Sequence, residues 1–135
     1  MKFVITIPGC VPPSPNRLMR MHWGTRRRMV AAWAQQLAYG LTATHRNRLR
    51  DAQGIRVVSV TCNHLGVWDP DNEWGASYKI ILDAGTRVGY WKDDSAANVK
   101  LQPPAQSQVL HRKDVLTRVT IEVAEPPACG MKGAA

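Results

Sequence analysis

The sequence predicts an α+β fold: a single domain, a mixed β-sheet with two helices packed on it in the order β-α-β-α-β-β. Three observations predict it. Residues 2–7 and 116–124 alternate apolar and polar side chains, the pattern of half-buried strands. Between them Val30, Trp33, Ala34, Leu37, Ala38 and Leu41 recur at helical spacing and form one apolar stripe. The chain has 135 residues, close to the commonest domain size, which suits one sheet-and-helix core and excludes two large domains.

The first strand places Phe3, Ile5 and Ile7 on one side and ends at Pro8-Gly9. The proline-rich stretch 11–16 reads as a stiff loop, because its prolines remove amide donors and hold their predecessors extended. Thr25 is the predicted N-cap of a helix running from Arg26 into the low forties, with Gly40 as its weak point. Val57, Val58, Val60 and Thr61 favour a strand over 55–65. A second helix is drawn over 76–83, stopped by Gly85. Residues 98–102 and 106–111 look extended but are broken by Pro103-Pro104, which predicts one irregular strand or a hairpin arm. A last strand follows over 116–124, so the domain is expected to span 1–124, with 125–135 as a flexible tail.

The charge is segmental. Of 18 basic side chains, the nine in residues 1–50 face no acidic residue in that segment. Six of the ten carboxylates (Asp69, Asp71, Glu73, Asp83, Asp93 and Asp94) fall between positions 69 and 94. A basic surface beside an acidic pocket suits a metal-dependent nuclease, in which one part holds phosphates and the other the ion. Arg26, Arg27 and Arg28 are expected in the first turn of their helix, where three cations are unfavourable beside the helix dipole unless an anion such as phosphate compensates them. The absence of a long apolar run or a leader pattern is read as a soluble intracellular chain that makes no use of a membrane. Three distant cysteines, Cys10, Cys62 and Cys129, fit neither a disulfide framework nor a zinc site and are read as reduced thiols.

Asp69 and Asp71 flank Pro70, and in an extended segment side chains at i and i+2 project to the same side, so both carboxylates would face one point. Close carboxylates repel, and a hard divalent cation stabilises the ionised pair, with Mg²⁺ first and Mn²⁺ as substitute. By itself Asp-Pro-Asp-Asn suits a type I turn better than a metal site, since Asp at the first position and Pro at the second are favoured there. An EF-hand is excluded, since the sixth position counted from Asp69 is Trp74 rather than Gly and the twelfth is Ile80 rather than Glu. No Gly-x-Ser-x-Gly elbow occurs, and the four histidines show no triad or metal spacing.

The acidic signal continues as Asp69-x-Asp71-Asn72, Lys79-x-x-x-Asp83 and Gly89-Tyr-Trp-Lys-Asp93-Asp94. This series resembles the RusA family of Holliday junction resolvases, and Pro12-Pro13-Ser14-x-Asn16 with its downstream arginines is similar to that family's N-terminal segment. The resemblance covers residues 1 to about 123. It implies that Asp69, Asp71 and Asp94 ligate the metal with Asp93 as a neighbouring carboxylate, and that Lys79 offsets charge on the scissile phosphate. Asp69, Asp71, Lys79 and Asp94 are then the catalytic set. Asn16, Arg17, Arg20, Arg26, Arg27, Arg28, Trp68 and Asn72 are the expected DNA contacts, with Trp68 standing where some family members have an arginine. Residues 73–78 exceed the family spacing by four, about one helical turn, so Lys79 keeps its facing if this stretch is helical.

The resemblance further implies a homodimer that binds branched DNA and resolves four-way junctions by paired nicks, in the cytoplasm of a bacterial or phage-infected cell. Five tryptophans against one phenylalanine fit an interface or base stacking, with Trp33 read as core. Two alternatives stand beside this reading: a catalytically inactive branched nucleic-acid-binding module, and a metal-dependent RNA-processing nuclease.

Overall fold

The computed structural model describes residues 1–13, 15–65 and 70–123, and of 15, 16 and 70–77 the backbone alone. The elements are β1 (Lys2–Pro8), α1 (Pro15–Arg20), α2 (Trp23–Tyr39), α3 (Ala43–Asp51), β2 (Arg56–His64), α4 (Pro70–Val88), β3 (Val99–Leu101), β4 (Ala105–Gln108), a 3₁₀ turn (Arg112–Asp114) and β5 (Leu116–Val123). The α+β class stands, with a mixed sheet of five strands and four helices among the described residues.

β5 lies between β1 and β2 and is antiparallel to both. β3 and β4 both run parallel to β2 along its other edge. They are two pieces of one interrupted edge strand, so the irregular-strand expectation holds and the hairpin arm does not. Parallel pairing needs a crossover, and α4 supplies it between β2 and β3.

Alternation decides which face is buried. Phe3, Ile5 and Ile7 of β1 share a face with Val58, Val60 and Cys62 of β2 and Val119, Ile121 and Val123 of β5, as the register requires. These pack with Trp33, Ala34 and Leu37 of α2 and with Tyr78, Ile80, Ile81 and Ala84 of α4 in one apolar cluster. The other face carries Lys2, Val4, Thr6, Arg118 and Glu122, all exposed. Two tyrosines join the layers: the Tyr78 hydroxyl donates to the carbonyls of Val58 and Gln102, and the Tyr90 hydroxyl donates to Leu37 O at 2.7 Å.

The helical part differs from the sequence reading in four places. The described residues form four helices rather than two; α1 and α3 carry no broad apolar stripe to announce them, and each buries one leucine, Leu18 and Leu49. Pro15 is the first residue of α1, a place where the missing N–H is no loss, so the proline-rich stretch ends in a helix. α2 begins at Trp23, its N-cap is His22, whose side chain accepts from Gly24 N, and Thr25 lies inside the first turn. α4 extends well beyond 76–83 at both ends. Gly85 does not stop it: a Cβ there would lie 1.9 Å from Trp91 Cζ2, so this glycine exists for the Trp91 ring, and the helix ends at Gly89, whose φ is +82°.

Candidate functional site

The arginines of the basic half divide into those that close helices and those that face solvent. Arg46 donates from Nη1 to Ala38 O and Leu41 O at the end of α2, and Arg50 donates from Nε to Val88 O at the end of α4. These cations satisfy orphan carbonyls at helix C-termini. Arg26, Arg27 and Arg28 lie in the second turn of α2, not the first, because the helix starts three residues earlier than the sequence reading placed it. Arg27 sits over the indole of Trp23 at 5.4 Å, and Arg28 donates to Thr25 Oγ1 at 3.2 Å. Trp23 is 64% exposed, and His22 lies beside it with ring centroids 5.6 Å apart. An exposed indole topped by a guanidinium is a surface on which an unpaired base can stack.

Arg17 and Arg20 are exposed on α1. Arg17 borders a cleft of about 530 Å³ together with His64, Leu65 and Arg112. His64 is 4% exposed and its Nε2 lies 2.6 Å from Gln106 Oε1 of β4. This cleft opens where β2 ends, immediately before the acidic stretch in the chain. Sequence reasoning missed His64 and Arg112 there, because no spacing links residues that only the sheet brings together.

The acidic residues are distributed along the molecule. Trp68 and Asp69 lie outside the described residues, as do the side chains of Asn16, Asp71 and Asn72. Pro70 and Asp71 open α4, so the extended geometry expected around Pro70 gives way to a helical first turn with proline at its first position. Residues 73–78 are helical throughout, which carries Lys79 one turn further along with its facing kept. Lys79 Nζ lies 3.9 Å from Asp83 Oδ2 across one turn, both groups partly exposed, so the pair orients Lys79 more than it stabilises the fold.

Asp93 closes the loop beyond α4. Its Oδ1 accepts from Ser95 N at 2.9 Å and from Asn98 Nδ2 at 2.8 Å. Hydrogen bonds from the Ser95 side chain, the Asn98 side chain and the Ser95 backbone, with the nearby Lys92 charge, hold its pKa down at about 2. Asp94 beside it is exposed. The Asn98 carbonyl accepts from Arg56 N, the first residue of β2, and the Trp91 indole donates to Leu82 O. Asp93 and Asp94 therefore lie between the last turn of α4 and the start of β2.

Asp71 is at the other end of α4. At about 1.5 Å per residue, Asp71 and Val88 are separated by roughly 25 Å along the helix axis. Asp71 thus lies in the first turn of α4, and Asp94 in the loop beyond its last turn, beside the start of β2. Among the described residues, no three His, Cys, Asp or Glu side chains gather around one point. Trp33 and Trp91 are core residues, at 6% and 2% exposure, which leaves Trp23 as the exposed tryptophan among those whose side chains are described. No helix among the described residues is long and apolar enough to cross a membrane. In comparison with known proteins, the sequence matches no protein-family model and no curated protein.

Proposed function

We propose that this chain is a Mg²⁺-dependent, structure-selective endonuclease of the RusA type, acting as a homodimer on branched DNA and nicking opposed strands of a four-way junction. The observation that carries the reading is the carboxylate series from Asp69 to Asp94 with Lys79 and Asp83 in one helical register, in a chain whose other half is basic. A divalent ion bound by such carboxylates acidifies a water and offsets charge on the phosphate. With Asp71 in the first turn of α4 and Asp94 beyond its last, each metal centre in this reading draws Asp69 and Asp71 from one subunit and Asp94 from its partner. In this arrangement Lys79, steered by Asp83, offers a cation to the phosphate, while Trp23, Arg17 and Arg27 hold strand and base away from it.

The same separation favours a second reading, a nucleic-acid-binding module without catalysis, if the protein is a monomer. The test is cleavage of a synthetic four-way DNA junction by purified protein with Mg²⁺ or Mn²⁺, beside the corresponding RNA. The endonuclease reading expects metal-dependent nicks in DNA, lost in Asp71→Asn. Salt-sensitive junction binding without nicks supports the binding module, and cleavage of the RNA alone supports an RNA-processing nuclease.

A further inference from the structure

We infer that the chain carries a second phosphate site, at the far end of α4 from Asp71, which grips the sugar–phosphate backbone of a bound nucleic-acid strand. The inference rests on the nucleic-acid reading above but not on catalysis. The site is a cleft of about 440 Å³ where the C-terminal ends of α3 and α4 meet the start of β2. Arg50, Arg56 and Lys92 line it, with Gln53, Thr86 and Asn98 as neutral polar neighbours, and no carboxylate is among the lining residues.

Arg56 is the decisive group. It is 7% exposed and donates to three carbonyls: from Nε to Tyr90 O at 2.8 Å, from Nη1 to Gly54 O at 2.7 Å and from Nη2 to Leu49 O at 2.7 Å. Those bonds employ three of its five N–H groups and supply partial charges only, so a buried cation stands with no carboxylate against it among the described residues. Arg50 uses Nε for Val88 O and borders the cleft. Lys92 makes no hydrogen bond and no ion pair among the described residues, and the one carboxylate its charge is seen to act on is the adjacent Asp93, which does not line the cleft.

Closing the ends of α3 and α4 accounts for part of this, since cations suit helix C-termini. It accounts neither for Lys92 nor for three positive side chains converging on one cavity, where each raises the cost of the others. A tetrahedral oxyanion relieves that repulsion, and two guanidinium forks match its geometry. The cleft is larger than one phosphate requires, which leaves room for the sugar that carries it. Its one aromatic wall, Trp91, is 2% exposed and offers no face for a base, which favours a strand's backbone over a free nucleotide.

Lys92 is the residue to change, because it is exposed and bonds nothing in the fold. Binding of a fluorescent four-way DNA junction is measured in EDTA across a salt series for the wild type, Lys92→Ala, Lys92→Arg and the control Lys2→Ala on the open sheet face. Lys92→Ala is expected to weaken binding about tenfold at low salt and to flatten the plot of log K against log salt by about one. Lys92→Arg is expected to restore both, and Lys2→Ala to change neither. Arg50→Ala, checked for folding by circular dichroism, is expected to behave as Lys92→Ala does. A slope for Lys92→Ala equal to that of the wild type overturns the site even if the protein cuts junctions with Mg²⁺. A flattened slope with no cutting upholds the site while the endonuclease reading fails, and absence of junction binding overturns both.

Discussion

At the scale of single residues, Asp93 shows how local bonding sets acidity. Its carboxylate is the acceptor for Ser95 and Asn98, and the fold holds its pKa at about 2, below the ordinary value near 4. The depressed value means the folded state favours the anion. The contribution to stability is present above about pH 4 and is lost as pH falls through about 2. Comparison of urea midpoints of the wild type and Asp93→Ala is therefore expected to show a difference at pH 5 that shrinks toward pH 2, and a pH-independent difference contradicts this. Gly85 offers a packing test. With Trp91 Cζ2 only 1.9 Å from where a Cβ would stand, Gly85→Ala forces the indole out of place and is expected to cost about 1–3 kcal/mol, read as a lower thermal midpoint. Residue chemistry was legible unevenly in the sequence. The i,i+4 spacing of Lys79 and Asp83 announced their pairing, and the stripe announced Trp33. Arg46, Arg50 and Arg56 carried no such mark, because their carbonyl partners are up to 38 positions away and belong to the backbone, which is alike in every sequence.

At the scale of elements, strands were easier to read than helices, for a physical reason. β1, β2 and β5 bury one face, and a period of two stands out in so short a chain. α3 buries Leu49 alone, so its only sequence signal was Thr42 as N-cap, which accepts from His45 N. The sequence predicts too short an α4 because its glycines look like breaks and Pro70 looks like a turn rather than a helix start. Its length gives the residues between Asn72 and Lys79 a definite meaning. Each residue turns a helix by about 100°, so removing four residues, 73–76, shifts Asp71 relative to Lys79 by roughly 40°, whereas removing two, 73–74, shifts it by roughly 200°. The four-residue deletion is therefore expected to keep most junction cleavage and the two-residue deletion to abolish it, with circular dichroism confirming that both fold. Equal loss in the two variants rules out the helical-turn account of this stretch.

At the scale of the whole molecule, the question is how residues at opposite ends of one helix serve one reaction. The sequence series places Asp71 and Asp94 in a single motif, and the fold puts Asp71 in the first turn of α4 and Asp94 in the loop beyond its last, which linear spacing had no means of revealing. A two-fold dimer resolves the conflict if the end of α4 that carries Asp71 meets the partner's loop that carries Asp94. The consequence is open to a mixing experiment. Asp71→Asn and Asp94→Asn are each expected to be inactive alone on four-way junctions with Mg²⁺. After co-refolding in equal amounts, half of the dimers are mixed. In a mixed dimer with shared sites, one centre collects both substitutions and the other collects neither, so about a quarter of wild-type nicking activity returns. With sites built within single chains, every centre in the mixed dimer keeps one defect and no activity returns. A monomer by sedimentation, or a silent mixture of variants that dimerise and bind junctions normally, removes the shared centre and leaves nucleic-acid binding as the function of the basic surface.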